Sequence, residues 1–183
     1  MRIGLDIDGV LANFVKTFIP LVRERYGVAL AEQDIYVHDL FLVLGITESE
    51  AIELIRATIR SDLDLIDGAK EAIETLNREH DVILLTARPD DLLGVTKQWL
   101  AAKGIPYSEL LHVREGAKSA ASLSLDVVVD DHLREAIAFA GKVRKIIVFD
   151  HPWNHSFNAG RLFERAYSWD DVLRIIDALG LER

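Results

Sequence analysis

The sequence predicts an α/β fold: a doubly wound, Rossmann-like parallel sheet with a small helical cap inserted after its first strand. Three observations carry that expectation. Four apolar runs, RIGLDID (2–8), DVILLT (81–86), DVVVD (126–130) and RKIIVFD (144–150), are rich in valine, isoleucine and leucine without polar alternation. Strands of a parallel sheet covered on both faces read in that way. Between them lie segments of helical spacing, AKEAIETLNREH (69–80), DDLLGVTKQWLAAKG (90–104) and HLREAIAFAGK (132–142), and strands alternating with helices indicate βαβ units. Residues 14–66 interrupt the alternation with helical segments alone.

Taken in order, the first run carries Asp6 and Asp8 out of an apolar strand into a glycine turn. FVKTFIPLVRERYG follows, with Pro20 expected to kink or interrupt its helix. The aromatic-bearing DIYVHDLFLVLG comes next, then TESEAIELIRATIR, whose Thr47 and Glu50 have capping-box spacing. The expected division is therefore a core of residues 1–13 and 67–183 and a cap of residues 14–66. A last amphipathic helix is expected from Ser168, Asp170 and Asp171 to about Leu179, closed by Gly180.

The 183 residues are enough for one domain with a substantial core and too few for two. Half are hydrophobic and 28% charged, the balance of a soluble globular protein. The net charge is -9 and no basic run concentrates positive charge, which argues against a nucleic-acid polymer or an anionic membrane as partner. A small anionic substrate stays compatible, because a bound cation reverses the field in a pocket. With no cysteine, thiol catalysis, thiolate metal sites and disulfides are excluded. No apolar run approaches the roughly 20 residues of a membrane span, and two aspartates stand where a signal peptide needs an apolar stretch, so a cytoplasmic location is expected. The cap surface or the last helix could each mediate a homodimer.

Each strand ends in a residue capable of chemistry: Asp6 and Asp8 on the first, Thr86 on the second, Asp130 and Asp131 on the third run. In an open parallel sheet the carboxyl ends share one edge, where ligands bind. A single aspartate after a strand commonly caps a helix, but two pairs on two strands point beyond capping. So many acids together imply a cation, and all-oxygen donors favour Mg²⁺. Asp6 and Asp130 are the expected side-chain ligands, with Asp8 contributing its backbone carbonyl and keeping its carboxyl group for proton transfer. Lys118, on a short helix ahead of Asp130, is expected to enter the same crevice and offset Asp6.

DIDGVLA, LLTAR, Lys118 and VVVDDH resemble, in order, spacing and strand placement, the four motifs of the haloacid dehalogenase superfamily of phosphohydrolases. The resemblance implies Asp6 as nucleophile, Asp8 as general acid and base, Thr86 as a ligand of the phosphoryl oxygens, Lys118 as the link between Asp6 and phosphate, and Asp131 beside Asp130 as support of the magnesium site. DIDGVLANF, the insertion after it and VFDHPWN look like the 5'(3')-deoxyribonucleotidase branch and its bacterial relatives, in which Phe14 would stand at the cap's root against a nucleobase. Asn13, Ala87 and His132 depart from that branch's usual residues. Arg88 could bind substrate or form a surface ion pair; Tyr36, His38 and Phe41 could line a pocket or pack the cap; Trp153 and Asn154 could approach a substrate or pack. His80, His112, His151 and His155 show no ligand spacing. The function implied is a Mg²⁺-dependent phosphomonoesterase working through an aspartyl-phosphate, a 5'-nucleotidase for (deoxy)nucleoside monophosphates. The alternatives are a phosphatase for another small phosphomonoester, such as a sugar phosphate, and a non-catalytic, receiver-like Mg²⁺-binding domain. A receiver has no insertion after its first strand.

Overall fold

In the computed structural model, which describes residues 1–114, 116–121, 124–155 and 161–181, six strands form one parallel sheet in the order β3-β2-β1-β4-β5-β6. They are β1 (Arg2–Asp6), β2 (Asp81–Thr86), β3 (Glu109–His112), β4 (Val127–Asp130), β5 (Lys145–Phe149) and β6 (Glu164–Ala166). The helices are α1 (Phe14–Tyr26), α2 (Leu40–Leu44), α3 (Glu48–Arg60), α4 (Ala69–Glu79), α5 (Leu93–Lys103), α6 (Lys118–Ala121), α7 (Leu133–Ala138) and α8 (Trp169–Leu181). From β1 the chain winds outward to β2 and β3, then returns to place β4, β5 and β6 on the other side. The order reverses between β1 and β4, and a crevice opens there outside the carboxyl ends of the strands.

The apolar runs are buried on both faces, as their composition requires. On one face Ile3, Leu5, Leu84, Val127 and Val129 pack with Ile73 and Leu76 of α4, Trp99 of α5 and Trp169 of α8. On the other, Ile83, Leu85, Val128 and Val148 pack with Ala136 of α7 and the following Phe139. Leu5 pairs with Val129, so Asp6 and Asp130 end neighbouring strands at the same level.

Between β1 and β2 the chain builds α1, α2 and α3 around a separate apolar cluster of Val15, Phe18, Val22, Ile35 and Leu54. Asn13 caps α1 by accepting the Lys16 N–H at 3.2 Å, and the capping box of Thr47 and Glu50 opens α3. The two connections to this segment are fastened to each other: the Asn13 N–H donates to the Asp64 carbonyl and the Ile66 N–H to the Leu11 carbonyl, both at 2.8 Å.

Four local expectations are corrected. Pro20 does not interrupt α1; it lies on the exposed side, where water can satisfy the carbonyl it deprives, while Val15, Phe18 and Val22 hold the buried stripe. Gly180 does not close the last helix, which continues to Leu181 because Ile176 and Leu179 still pack on the core. Helix α7 ends at Ala138, well short of the segment that spacing suggested. Strands β3 and β6 were not expected: ELLH and ERA are edge strands of four and three residues, and half-burial removes the apolar run that marks an inner strand.

Trp169 ties α8 to the turn after β1, its Nε1 donating to the Val10 carbonyl at 3.0 Å in a fully buried setting. Trp169→Phe keeps most of the volume and leaves that carbonyl unpaired, which should destabilise the protein by about 1–3 kcal/mol. Urea unfolding of the two proteins measures it; equal midpoints would show that the bond does not hold the turn.

Candidate active site

After β1 the chain tightens into a turn in which the Leu11 and Ala12 N–H groups both donate to the Ile7 carbonyl at 2.8 Å. Gly9 stands in that turn with φ +77°, and a Cβ there would lie 2.2 Å from Asp131 Oδ2. Both the left-handed backbone and the approach of Asp131 therefore require glycine. The turn sends Asp6 inward and Asp8 to the cavity wall.

Asp6, Lys118, Asp130 and Asp131 are all buried. Lys118 Nζ lies 3.0 Å from Asp6 Oδ1 and 2.8 Å from Asp130 Oδ2. The other oxygen of Asp130 accepts the His132 N–H at 2.9 Å, and Asp131 Oδ2 accepts Trp153 Nε1–H at 2.8 Å. Asp6, Asp130 and Asp131 each offer an oxygen within 4.8 Å of the others. Three buried carboxylates thus face one ammonium. Burial pushes Asp6 up to about 7 against the pull of Lys118, with Asp130 and Asp8 adding to the rise. Asp131 is held well above the usual carboxylate range by burial and by the charges of Asp6 and Asp130. Burial opposes the charge on Lys118, yet Asp130 and Asp6 outweigh it and its pKa is raised. The residual negative charge, on oxygen donors alone, fits a hard divalent cation such as Mg²⁺.

Asp8 stands apart from this group. Arg88 Nε donates to its Oδ2 at 2.8 Å and Arg88 Nη2 to its Oδ1 at 2.7 Å, a two-pronged fork. Arg88 is buried, so its ion pair is not a surface one; its remaining contacts are Thr96 Oγ1 at 3.2 Å and the face of Trp99. Thr86 is also buried, at the end of β2, and its hydroxyl oxygen accepts the Arg88 backbone N–H at 3.2 Å.

Asp6, Asp8, Thr86, Arg88, Lys118 and Asp131 floor a cavity of about 310 Å³ whose opposite wall comes from the segment between β1 and β2, including Phe14, Leu40, Phe41, Ile52 and Ile55. Phe14 is half-buried and stacked on Phe18 at 5.5 Å. His38 and Phe41 line the cavity, whereas Tyr36 is 60% exposed and does not. The His38 ring lies parallel to that of His132, with centroids 3.7 Å apart. Burial and His38 push His132 down to about 3, which keeps its ring neutral.

The residues after β5 supply a supporting layer, in which the sequence reading named Trp153 and Asn154 but assigned His151 nothing. His151 Nε2–H donates to the Gly9 carbonyl at 2.7 Å, its Nδ1 lies 3.6 Å from Glu32, and its ring stacks on Trp153 at 4.2 Å. Asn154 is fully buried and does not line the cavity; its Nδ2 donates to the carbonyls of Asp131 and Phe149 at 2.9 and 2.8 Å. The sequence signal was HPWN, one residue beyond the end of β5.

Comparison with known proteins agrees with this architecture. A Halalkalibacterium halodurans protein that carries the provisional name of nucleotidase is 31% identical, over 84% of this chain and 81% of its own. A nucleotidase of Clostridium acetobutylicum is 26% identical, over 98% of this chain and 95% of its own. A haloacid dehalogenase-like hydrolase from Streptococcus pneumoniae superposes with a TM-score of 0.68 at 13% identity, covering 96% of this chain and 97% of that one, and so shares the fold. Residues 1–180 match the family described as 5' nucleotidase, deoxy (pyrimidine), cytosolic type C protein, and the chain belongs to that family.

Proposed function

We propose that the protein is a Mg²⁺-dependent phosphomonoesterase that works through an aspartyl-phosphate on Asp6 and acts on nucleoside monophosphates, deoxypyrimidine ones first. The observation that carries this reading is the separation of the two acids of the first motif. Asp6 sits with Lys118, Asp130 and Asp131, while Asp8 is held apart by Arg88 at the cavity wall. On this reading Asp6 attacks as the nucleophile and Asp8 transfers the protons.

In the first half-reaction an Asp6 oxygen attacks phosphorus, the ester P–O bond breaks, and Asp8 delivers a proton to the departing oxygen. In the second, Asp8 takes a proton from water, the hydroxide attacks phosphorus, and the bond to Asp6 breaks to release phosphate. The fork of Arg88 orients Asp8 for both transfers. Lys118 offsets charge on Asp6 and on the phosphoryl oxygens, and the Thr86 hydroxyl donates to those oxygens. Magnesium, held by Asp6, Asp130 and the Asp8 carbonyl with Asp131 in support, would neutralise charge on the phosphate. Residues 14–66 act as a cap over residues 1–13 and 67–183, excluding water from the crevice. Phosphate contacts are common to all monoesters, so the apolar wall with Phe14 decides selectivity, and an aromatic ring there suits a flat base.

Asp6→Asn removes the nucleophilic oxygen without changing volume and should abolish both half-reactions. Asp8→Asn should still form the phosphoenzyme from a good leaving group but hydrolyse it about 10²–10⁴ times more slowly. Acid quenching followed by detection of phosphate on Asp6 separates the two; multiple turnover by pure Asp6→Asn would sink the nucleophile assignment.

Chelation should abolish turnover and lower the melting temperature, and Mg²⁺ should restore both, since a cation that binds the folded acid cluster stabilises it by about 2.7 kcal/mol at 100 times its Kd. A melting temperature indifferent to Mg²⁺ would remove the cluster as its site.

The substrate is tested by a panel of nucleotides and sugar phosphates at fixed Mg²⁺, repeated with Phe14→Ala. Loss of a base stack should lower kcat/KM for nucleotides about 5- to 150-fold and for sugar phosphates much less. Should a sugar phosphate lead the panel, or Phe14→Ala affect all substrates alike, the nucleotidase reading fails and the phosphatase reading stands alone.

A further inference from the structure

Beyond the acid cluster, the cavity wall carries another buried carboxylate that the proposed chemistry does not use. Glu135 lies on α7, one turn past His132, and is 3% exposed. Its Oε1 accepts the backbone N–H of Gly116, two residues ahead of Lys118. Its Oε2 is buried with no hydrogen-bond partner, although the side chain lines the cavity. Lys118, the nearby cation of the site, is occupied by Asp6 and Asp130. A buried oxygen left unpaired is costly, and such atoms are uncommon in folded proteins unless something else completes them.

The position of Glu135 narrows what that partner is. It stands on the core side of the cavity beside the segment that presents Lys118, whereas the aromatic wall of Phe14 and Phe41 lies on the side of the insertion. The group of a nucleotide that lies between phosphate and base is the sugar, whose hydroxyls are hydrogen-bond donors. We propose that Glu135 forms an acceptor subsite for a sugar hydroxyl, selecting phosphomonoesters that bear one over those that lack it. The inference rests on the phosphatase reading of the site and adds a specificity-determining residue to it.

The test uses matched substrates that differ by one hydroxyl: thymidine 5'-monophosphate against its 3'-deoxy analogue, and ribose 5-phosphate against its 3-deoxy analogue, with p-nitrophenyl phosphate as the reference without a hydroxyl. Each is measured with the wild type and with Glu135→Gln, which keeps an oxygen for the Gly116 N–H and can turn its amide nitrogen toward the cavity. The wild type should lose about 10- to 100-fold in kcat/KM when the hydroxyl is removed, because a buried acceptor is then left unpaired. Glu135→Gln should lose far less within a pair, and should fall further on the hydroxyl-bearing substrates than on p-nitrophenyl phosphate. Equal losses within a pair for both enzymes would overturn the proposal. So would an equal fall on p-nitrophenyl phosphate and on the hydroxyl-bearing substrates, which would leave Glu135 only as the holder of the Gly116 segment. If ribose 5-phosphate is hydrolysed and nucleotides are not, the nucleotidase reading fails while the ribose pair decides on Glu135. If p-nitrophenyl phosphate and all the others are inert, both readings fall.

Discussion

The rest of the site depends on one interaction, the ammonium of Lys118 held between Asp6 and Asp130. Two carboxylates on adjacent strands, both buried, repel strongly where water cannot screen them. The parallel register puts them at the same level because Leu5 pairs with Val129, and the reversal of strand order between β1 and β4 opens the crevice beside them. Lys118 enters from α6, ahead of β4, and relieves part of the repulsion. It does not relieve all of it, since Asp131 adds a third buried carboxylate and Asp6 is pushed up to about 7. The fold therefore holds an excess of negative charge that a hard cation would balance.

Asp131 shows how the neighbouring layers serve that arrangement. It is pressed against Gly9, held at Oδ2 by Trp153 and at its carbonyl by Asn154. Asn154 is itself fixed by Arg165 of β6, whose Nη1 donates to Asn154 Oδ1 at 2.6 Å and to Asp150 Oδ1 at 2.9 Å. The short edge strand thus has a purpose that its three residues do not advertise: it carries the guanidinium that locks the loop after β5. Such outer contacts orient the groups that meet a ligand.

Much of this was legible in the sequence, for an identifiable reason. Inner parallel strands must be apolar on both faces, so RIGLDID, DVILLT, DVVVD and RKIIVFD announced themselves, and the residues at their ends were placed along one edge by topology alone. Thr47 and Glu50 were readable because a capping box is local. What stayed hidden was set by tertiary contact. β3 and β6 are edge strands with mixed faces, and Pro20 is tolerated because the buried stripe of α1 outweighs one lost hydrogen bond. His151 reaches Gly9 across 142 residues, and Arg88 reaches Asp8 across 80, distances at which no spacing rule operates.

Three contacts made by the segment between β1 and β2 reach that same edge. His38 stacks on His132, directly after Asp131. Glu32 approaches His151, which holds the Gly9 carbonyl next to Asp8. Arg56 of α3 pairs with Asp91 at 2.5 Å, in the loop that follows Arg88. His132 and Asp91 lie within three positions of Asp131 and Arg88, and His151 acts through the Gly9 carbonyl beside Asp8. Movement of the segment would accordingly strain the Gly9 turn, the His132 backbone and the loop beyond β2 together. The position of the segment and the geometry around Asp131, Asp8 and Arg88 are therefore coupled through these three contacts.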